Sequence, residues 1–187
     1  MKKEIEVKAK VESLHVLKNK LEELGCAFNN PAEQKDTIFV NFDGDFTKFM
    51  PNTNFLRIRE TNNKILFTLK RPQSNELDCI EKEIEVSDKE QLKDMLELMG
   101  YHEAIQVHKI RTKTQYKDME ICLDDVRGLG TFIEVEKITD GDGEIVQNEL
   151  LHFLESLGVS KEDRIVNGYD TLMYLKIHNS DSSSYAQ

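Results

Sequence analysis

Charged and apolar residues alternate in the first strand that the sequence predicts, residues 2–11. Ile5 and Val7 occupy one face of this strand, and the other face carries two carboxylates and an ammonium group. These charged residues are Glu4, Glu6 and Lys8. Charged side chains crowd onto one face of a strand where a ligand binds them. A divalent cation together with a phosphate chain would bind all three.

A pair of glutamates two residues apart recurs in two later predicted strands. Glu83 and Glu85 form the second pair, and Glu134 and Glu136 form the third. An amphipathic helix follows each of the three strands and ends at a Leu-Gly or Met-Gly pair. Because side chains at this spacing lie about 7 Å apart along a strand, two such carboxylates suit one metal ion or a close pair of ions.

Apolar periodicity predicts further strands, joined mainly by hairpins, and three longer helices. The other strands are predicted at 34–42, 55–59, 64–70, 81–86, 106–117, 119–126 and 131–138. The helices are predicted at 14–24, 88–99 and 144–157, with Ser87 as the N-cap of the second, and a short helix or strand is predicted at 168–177. Residues 1–178 are expected to form one domain, 73–78 a flexible polar loop, and 179–187 a disordered tail.

About eight strands, mostly antiparallel, together with helices indicate an α+β protein. The apolar strand faces need cover, and the amphipathic helices can supply it from outside. The charged strand faces then turn toward one another. We therefore predict a closed antiparallel eight-stranded β tunnel, or barrel, with a charged lumen and amphipathic helices packed outside.

The composition of the 187-residue chain limits the classes of function. A formal net charge of −10 argues against nucleic-acid binding through a basic exterior. No apolar run approaches the roughly 20 residues of a membrane helix, and the first residues lack the apolar stretch of a secretory signal. The cysteines, Cys26, Cys79 and Cys122, lack the spacing of a disulfide framework or a zinc site. We therefore expect a cytoplasmic protein that contacts neither nucleic acid nor a membrane.

Basic residues recur at the same spacing as the glutamates. Arginine binds phosphate oxygens through two donors, and lysine adds a point charge. The cations that could match a triphosphate are Lys8, Arg57, Arg59, Lys70, Lys109 and Arg111. Glu4 and Glu6 could meet Glu134 and Glu136 across the lumen and hold Mg or Mn between the phosphates and the acidic strands. The supporting acids are Glu83, Glu85 and Glu120.

Lys8 has two candidate roles. Carboxylates keep a lysine protonated, whereas burial and nearby cations lower its pKa. If metals neutralise the acids, Lys8 becomes a candidate proton acceptor for a ribose hydroxyl or for water; otherwise it stays charged and only binds phosphate. Lys8, Glu4 and Glu6 are therefore the candidate catalytic residues.

The order and spacing of these motifs resemble the CYTH, or triphosphate tunnel metalloenzyme, superfamily. The motifs are Glu4-Ile5-Glu6-Val7-Lys8, Gln34-x-Asp36-x-x-Phe39, Leu56-Arg57-Ile58-Arg59, Thr68-Leu69-Lys70, Glu83-x-Glu85, Lys109-x-Arg111, and Leu123-Asp124 leading to Phe132-Ile133-Glu134-Val135-Glu136. The resemblance extends from residue 2 to about residue 177. It implies an eight-stranded tunnel that binds triphosphate through basic residues and Mg or Mn through carboxylates, with Asp124 as a further metal ligand.

Two segments resemble the class IV adenylyl cyclase subgroup of this superfamily: the stretch from Asp124 to Glu136, and Gly168-Tyr169-Asp170 near the C-terminus. Arg71-Pro72 follows Lys70 where Gly-Pro is more usual, and the acid of the usual final motif is missing. The subgroup implies conversion of ATP to cyclic AMP and pyrophosphate. The strand motifs also allow a thiamine triphosphatase, an inorganic triphosphatase, or a module that binds nucleotides or polyphosphate without turnover. The sequence also leaves open whether the protein forms a homodimer.

Overall fold

Nine strands and four α-helices make up the computed structural model, which describes residues 2–42 and 48–182, with side chains described as far as residue 178. The strands are β1 (Lys3–Lys10), β2 (Ala32–Val40), β3 (Phe55–Thr61), β4 (Lys64–Pro72), β5 (Asp78–Val86), β6 (His102–Tyr116), β7 (Met119–Val126), β8 (Gly130–Thr139) and β9 (Arg164–Ile165). The helices are α1 (Leu14–Glu23), α2 (Lys89–Leu98), α3 (Gly143–Ser156) and α4 (Tyr169–Ser182), with a 3-10 turn at Lys161–Asp163.

The first eight strands form a closed antiparallel barrel, which confirms the predicted α+β tunnel. Their order is β5-β4-β3-β2-β6-β7-β8-β1, and β9 lies beside β1 as an additional short strand. The barrel closes where β1 pairs with β5, with Glu4 opposite Cys79 and Ile5 opposite Asp78. Closure pairs the backbone N–H and C=O groups that an open sheet would leave without hydrogen-bond partners at its edges.

Alternation along the strands separates an apolar outer layer from a polar interior, which we call the lumen. The outer faces of β1, β7 and β8 pack against α1 and α3, and the buried residues of this layer include Ile5, Ile121 and Ile133. On the opposite side of the barrel, Leu96 of α2 packs against Phe39 and other residues on the outer faces of β2 and β3. These three helices therefore cover the barrel from outside, as the hydrophobic pattern predicted.

The fourth helix packs differently. Tyr169 at its start lies against Val107, Val126 and Phe132. On their strands these residues alternate with outward-facing positions and share a face with lumen residues such as Lys109 and Glu134. Helix α4 therefore begins inside one end of the barrel, where β6 starts and β7 ends.

The structure corrects two local predictions. The N-cap of α2 is Asp88, whose carboxylate accepts a hydrogen bond from Gln91 N, and not Ser87. Residues 73–78 are not a flexible loop, because Leu77 is buried and its carbonyl oxygen accepts a 2.8 Å hydrogen bond from Glu6 N. Helix α4 ends at Ser182, within the segment predicted as a tail, and the rest of that segment lies outside the described residues, so the disordered tail stays a prediction.

Two further features of the described residues concern membrane-spanning helices and the cysteines. None of its helices combines the length and the apolar character that crossing a membrane requires. The three cysteines are buried and free. They contribute small side chains to the interior and form no covalent link among the described residues.

Candidate active site

The barrel encloses a cavity of about 500 Å³. The predicted site residues that line it are Glu4, Glu6, Lys8, Arg57, Arg59, Lys70, Glu83, Lys109, Arg111, Glu134 and Glu136. All six predicted phosphate-binding cations are thus brought to one space. The described residues that line the cavity do not include Glu85, Glu120 or Asp124.

Three glutamates converge in the lumen. Glu6 of β1 lies directly opposite Glu136 of β8, and Glu4 is two residues earlier on the same face. One carboxylate oxygen from each lies within 4.8 Å of the other two. We call this arrangement the glutamate cluster: Glu4, Glu6 and Glu136.

Burial and the neighbouring carboxylates raise the pKa of each residue in the glutamate cluster. Burial raises the pKa of Glu4 to about 7 against the opposing effect of Lys70, and the carboxylates of Glu81 and Glu6 add to the rise. Burial also raises the pKa of Glu6, with Glu134 contributing, and it raises the pKa of Glu136 well above its usual value, with Glu4 contributing. Three converging carboxylates that oppose one another's ionisation fit a hard divalent cation such as Mg or Mn.

The other two predicted metal ligands lie in ion pairs with basic residues. Asp124 is fully buried and accepts a 2.7 Å hydrogen bond from Arg111 Nε, while the guanidinium also contacts Glu134. Burial would raise the pKa of Glu134, but Arg111 and then Lys8 outweigh it and hold that pKa well below its usual value. The structure thus places Asp124 and Glu134 outside the glutamate cluster, so their metal-binding role stays a prediction.

Two lysines differ in how the lumen affects their protonation. Burial would lower the pKa of Lys8, but Glu134 and Glu6, at 3.2 and 3.4 Å from its Nζ, raise it above the usual value. Burial, aided by Arg111, lowers the pKa of Lys109 to about 8. In this structure the lysine with the lowered pKa is therefore Lys109, whereas the sequence had pointed to Lys8 in a metal-filled tunnel.

The remaining cations lie on β3 and β4. Arg59 donates two 2.7 Å hydrogen bonds to Asp36, and Lys70 is paired with Glu81. Sequence reasoning missed both acids as site residues. The feature that could have identified them is opposite charge at paired positions of neighbouring strands. Asp36 lies opposite Arg59, and Glu81 lies opposite Lys70.

The three supporting acids are less central than their motifs suggested. The side chain of Glu83 is 42% exposed and accepts hydrogen bonds from Arg57 and Thr68. Glu85 is 54% exposed and paired with Lys64. Glu120 is paired with Lys113 and lies near Cys122 and Glu136. The second Glu-x-Glu strand therefore acts in the lumen mainly through Glu81 and Glu83.

The raised pKa of Glu4 predicts how the metal-free protein responds to pH. Because the folded-state pKa of about 7 exceeds the usual 4.5, the folded protein binds this proton more tightly than the unfolded chain does. The resulting stability is fully present below pH 4.5 and is lost as the pH rises through 7. In EDTA, Tm should fall as the pH is raised over this range, and Glu4→Gln should reduce the fall.

Thermal denaturation followed by circular dichroism measures this dependence. Excess Mg should remove most of the fall in the wild type, because the cation neutralises the ionised carboxylates. A Tm in EDTA that rose with pH, or that fell equally in wild type and Glu4→Gln, would contradict the assignment.

Comparison with known proteins bears on the family of this chain. The sequence profile of the CYTH domain family matches residues 2–169, a range that contains the whole barrel and the first three helices. The chain belongs to the CYTH domain family. The motif order, the closed barrel and the charged lumen agree with this membership.

Known proteins of similar sequence or structure extend the comparison. A protein of Methanocaldococcus jannaschii named "Putative adenylate cyclase" is 32% identical over 170 residues, which is 89% of this chain and 95% of that protein. The solved structure of the PH1012 protein from Pyrococcus horikoshii has a TM-score of 0.76 at 28% identity and covers 91% of this chain and 99% of its own.

A third protein resembles this chain in fold alone. It is a Hippeastrum protein described as a "Putative adenylyl cyclase" with a dominant triphosphatase activity. Its TM-score is 0.56 at 21% identity, and the match covers 90% of this chain and 91% of that chain.

Proposed function

We propose that this CYTH protein is a metal-dependent enzyme that acts on a triphosphate substrate inside its barrel. One observation carries the proposal: three partly buried glutamates, two of which contact a lysine, converge in the same cavity as six buried or partly buried basic residues. A protein that only bound anions would not need such a cluster of carboxylates. Mg or Mn together with a triphosphate would balance both sets of charges.

The glutamate cluster is the part of the lumen that would hold the metal. A divalent cation bound there would neutralise negative charge that develops on phosphate oxygens. Glu6 and Glu136 lie directly opposite each other on neighbouring strands, so the barrel itself fixes their separation. The cluster is therefore prepared for a cation before substrate enters.

The six basic residues that line the cavity include donors that are available to phosphate. Arg57 Nε is buried and has no hydrogen-bond partner among the residues that the structure describes. Lys109 Nζ is 3.8 Å from Asp124, longer than a hydrogen bond, although its side chain is only 4% exposed. Because a buried donor without a partner is costly, Arg57 would gain from binding phosphate, and Lys109, whose ion pair with Asp124 is long, is the second cation placed to bind it.

Among triphosphate reactions, we favour conversion of ATP to cyclic AMP. In that reaction the ribose 3′-oxygen attacks the α-phosphorus, its proton leaves, and pyrophosphate is expelled. The cavity wall also includes apolar residues, Ile38, Met50 and Phe55, which suit an organic group and would serve no purpose for an inorganic chain. The name of the Methanocaldococcus relative supports the same reaction.

Hydrolysis of a triphosphate is the second candidate function. The same cations and metal would serve, with water as the nucleophile against the terminal phosphate. The triphosphatase activity described for the Hippeastrum protein, which has the same fold, makes this candidate worth testing beside the first. A third candidate, nucleotide or polyphosphate binding without turnover, would leave the glutamate cluster without a role.

The decisive experiment is a product assay. Purified protein is incubated separately with ATP, thiamine triphosphate and inorganic triphosphate, with Mg or Mn and with EDTA, and the products are separated by chromatography. Cyclic AMP and pyrophosphate from ATP would support the cyclase, and orthophosphate would support the triphosphatase. Metal-independent turnover, or no turnover of any of the three substrates, would contradict the proposed function.

A further inference from the structure

The tyrosine at the start of α4 lies inside the barrel against two of the lumen cations. The centroid of the Tyr169 ring is 4.1 Å from Lys8 Nζ and 4.7 Å from Lys109 Nζ. Its hydroxyl donates a 2.9 Å hydrogen bond to Asp124 Oδ2. Tyr169 also lines the cavity, so one side chain contacts two of the three lysines predicted to bind phosphate, as well as Asp124, which neighbours Lys109.

We propose that Tyr169 is a positioning residue whose ring holds the ammonium groups of Lys8 and Lys109 where a phosphate chain can reach them. This inference rests on the proposed function, because it concerns binding of the triphosphate at the same site. An aromatic ring attracts an ammonium group through its quadrupole, most strongly when the pair is shielded from water. Since the ring carries no negative charge, it stabilises the two cations without competing with phosphate as a carboxylate would.

The ring position is itself fixed from several directions. Tyr169 packs edge-on against Phe132, with centroids 5.2 Å apart. The residue before it, Gly168, donates its backbone N–H to Glu76 at 2.7 Å, and Thr171 Oγ1 donates to the same carboxylate at 3.0 Å. A carboxylate on the first N–H groups of a helix stabilises the start of that helix. Glu76 therefore fixes the end of α4 that carries the ring.

The same contacts connect the ring to the strand of the glutamate cluster. Lys8 Nζ donates a 3.2 Å hydrogen bond to the carbonyl oxygen of Asn167, two residues before Tyr169. Leu77, which follows Glu76, accepts the backbone N–H of Glu6 at 2.8 Å. The lysines, the ring and the acidic strand are thus held in one arrangement, so displacing the ring should displace the cations relative to the metal ligands.

Two substitutions separate the ring from the rest of the side chain. Tyr169→Phe keeps the ring and removes the hydroxyl bond to Asp124, whereas Tyr169→Leu keeps an apolar side chain and removes the ring. Affinity for inorganic triphosphate with Mg is measured by calorimetry on the full chain, and for ATP in parallel. We expect Tyr169→Leu to weaken both ligands by about 10-fold, and Tyr169→Phe to stay within about 3-fold of wild type.

Each alternative gives a different pattern of affinities. Unchanged binding by Tyr169→Leu, or equal losses in Leu and Phe variants, would overturn the role of the ring. A loss for ATP with inorganic triphosphate spared would also overturn it, because the ring would then contact the organic group. If wild type bound no triphosphate, the proposed function would fail first. Tm is measured for each variant, and Tyr169→Met replaces the Leu variant if that one does not fold.

Discussion

Replacing Glu136 with Gln should reduce turnover of every triphosphate substrate by on the order of 10²–10³-fold while the protein stays folded. Gln keeps the shape of the side chain but removes one of the three charges in the glutamate cluster. Because burial and the nearby Glu4 already oppose ionisation of Glu136, its removal should not destabilise the metal-free protein. Steady-state kinetics with saturating Mg or Mn, together with Tm in EDTA, measure both effects.

A matched control for Glu136→Gln is available on the outside of the barrel. Glu33 lies on β2, and its side chain is 59% exposed and outside the lumen. Glu33→Gln should leave turnover unchanged. Comparable losses in the two variants, or full activity of Glu136→Gln, would contradict a metal-binding role of the glutamate cluster.

Replacing Arg111 with Met should lower the free energy of unfolding by about 3–5 kcal/mol. The guanidinium contacts both Asp124 and Glu134, whose side chains are 0% and 4% exposed. Without Arg111 these carboxylates stay buried with much less compensation, and leaving a buried charge unpaired is among the costliest single changes. Urea unfolding at neutral pH measures the loss.

Two further variants test this interpretation. Lys113 lies two residues beyond Arg111 on β6, and its ion pair with Glu120 is about one-third exposed on each side. Lys113→Met should cost less than about 1 kcal/mol, as exposed ion pairs contribute little. Adding Asp124→Leu to Arg111→Met should recover part of the loss. Equal costs for the Arg111 and Lys113 variants would show that Arg111 does not compensate buried charge.

The strand faces could be predicted because alternation is a local property of the sequence. Glu4, Glu6 and Lys8 lie in the lumen, and Ile5 and Val7 lie under helices, as the period of two required. The closed barrel could be predicted from this alternation. The apolar faces needed cover from helices, and closure of the sheet turns the charged faces toward one another. Capping was less certain: Ser87 and Asp88 are both good N-caps, and the structure uses Asp88.

Alternation could not predict which side chains contact one another within the lumen. Strand order and register decide that Arg111 meets Asp124 and that Glu136 meets Glu6. A list of acids therefore could not separate those that pair with arginines from those that form the glutamate cluster. Helix α4 was missed as a lumen element because its apolar residues follow no amphipathic pattern that would indicate an outer face.

The most direct test of this account is the location of the metal in crystals grown with Mn and a slowly hydrolysed ATP analogue. Anomalous scattering identifies the Mn position independently of any assumption about the site. The account predicts an Mn peak within bonding distance of carboxylate oxygens of Glu4, Glu6 or Glu136, with the phosphate chain on the side of Arg57 and Lys109. An Mn peak outside the lumen, or a phosphate chain bound elsewhere on the barrel, would contradict it.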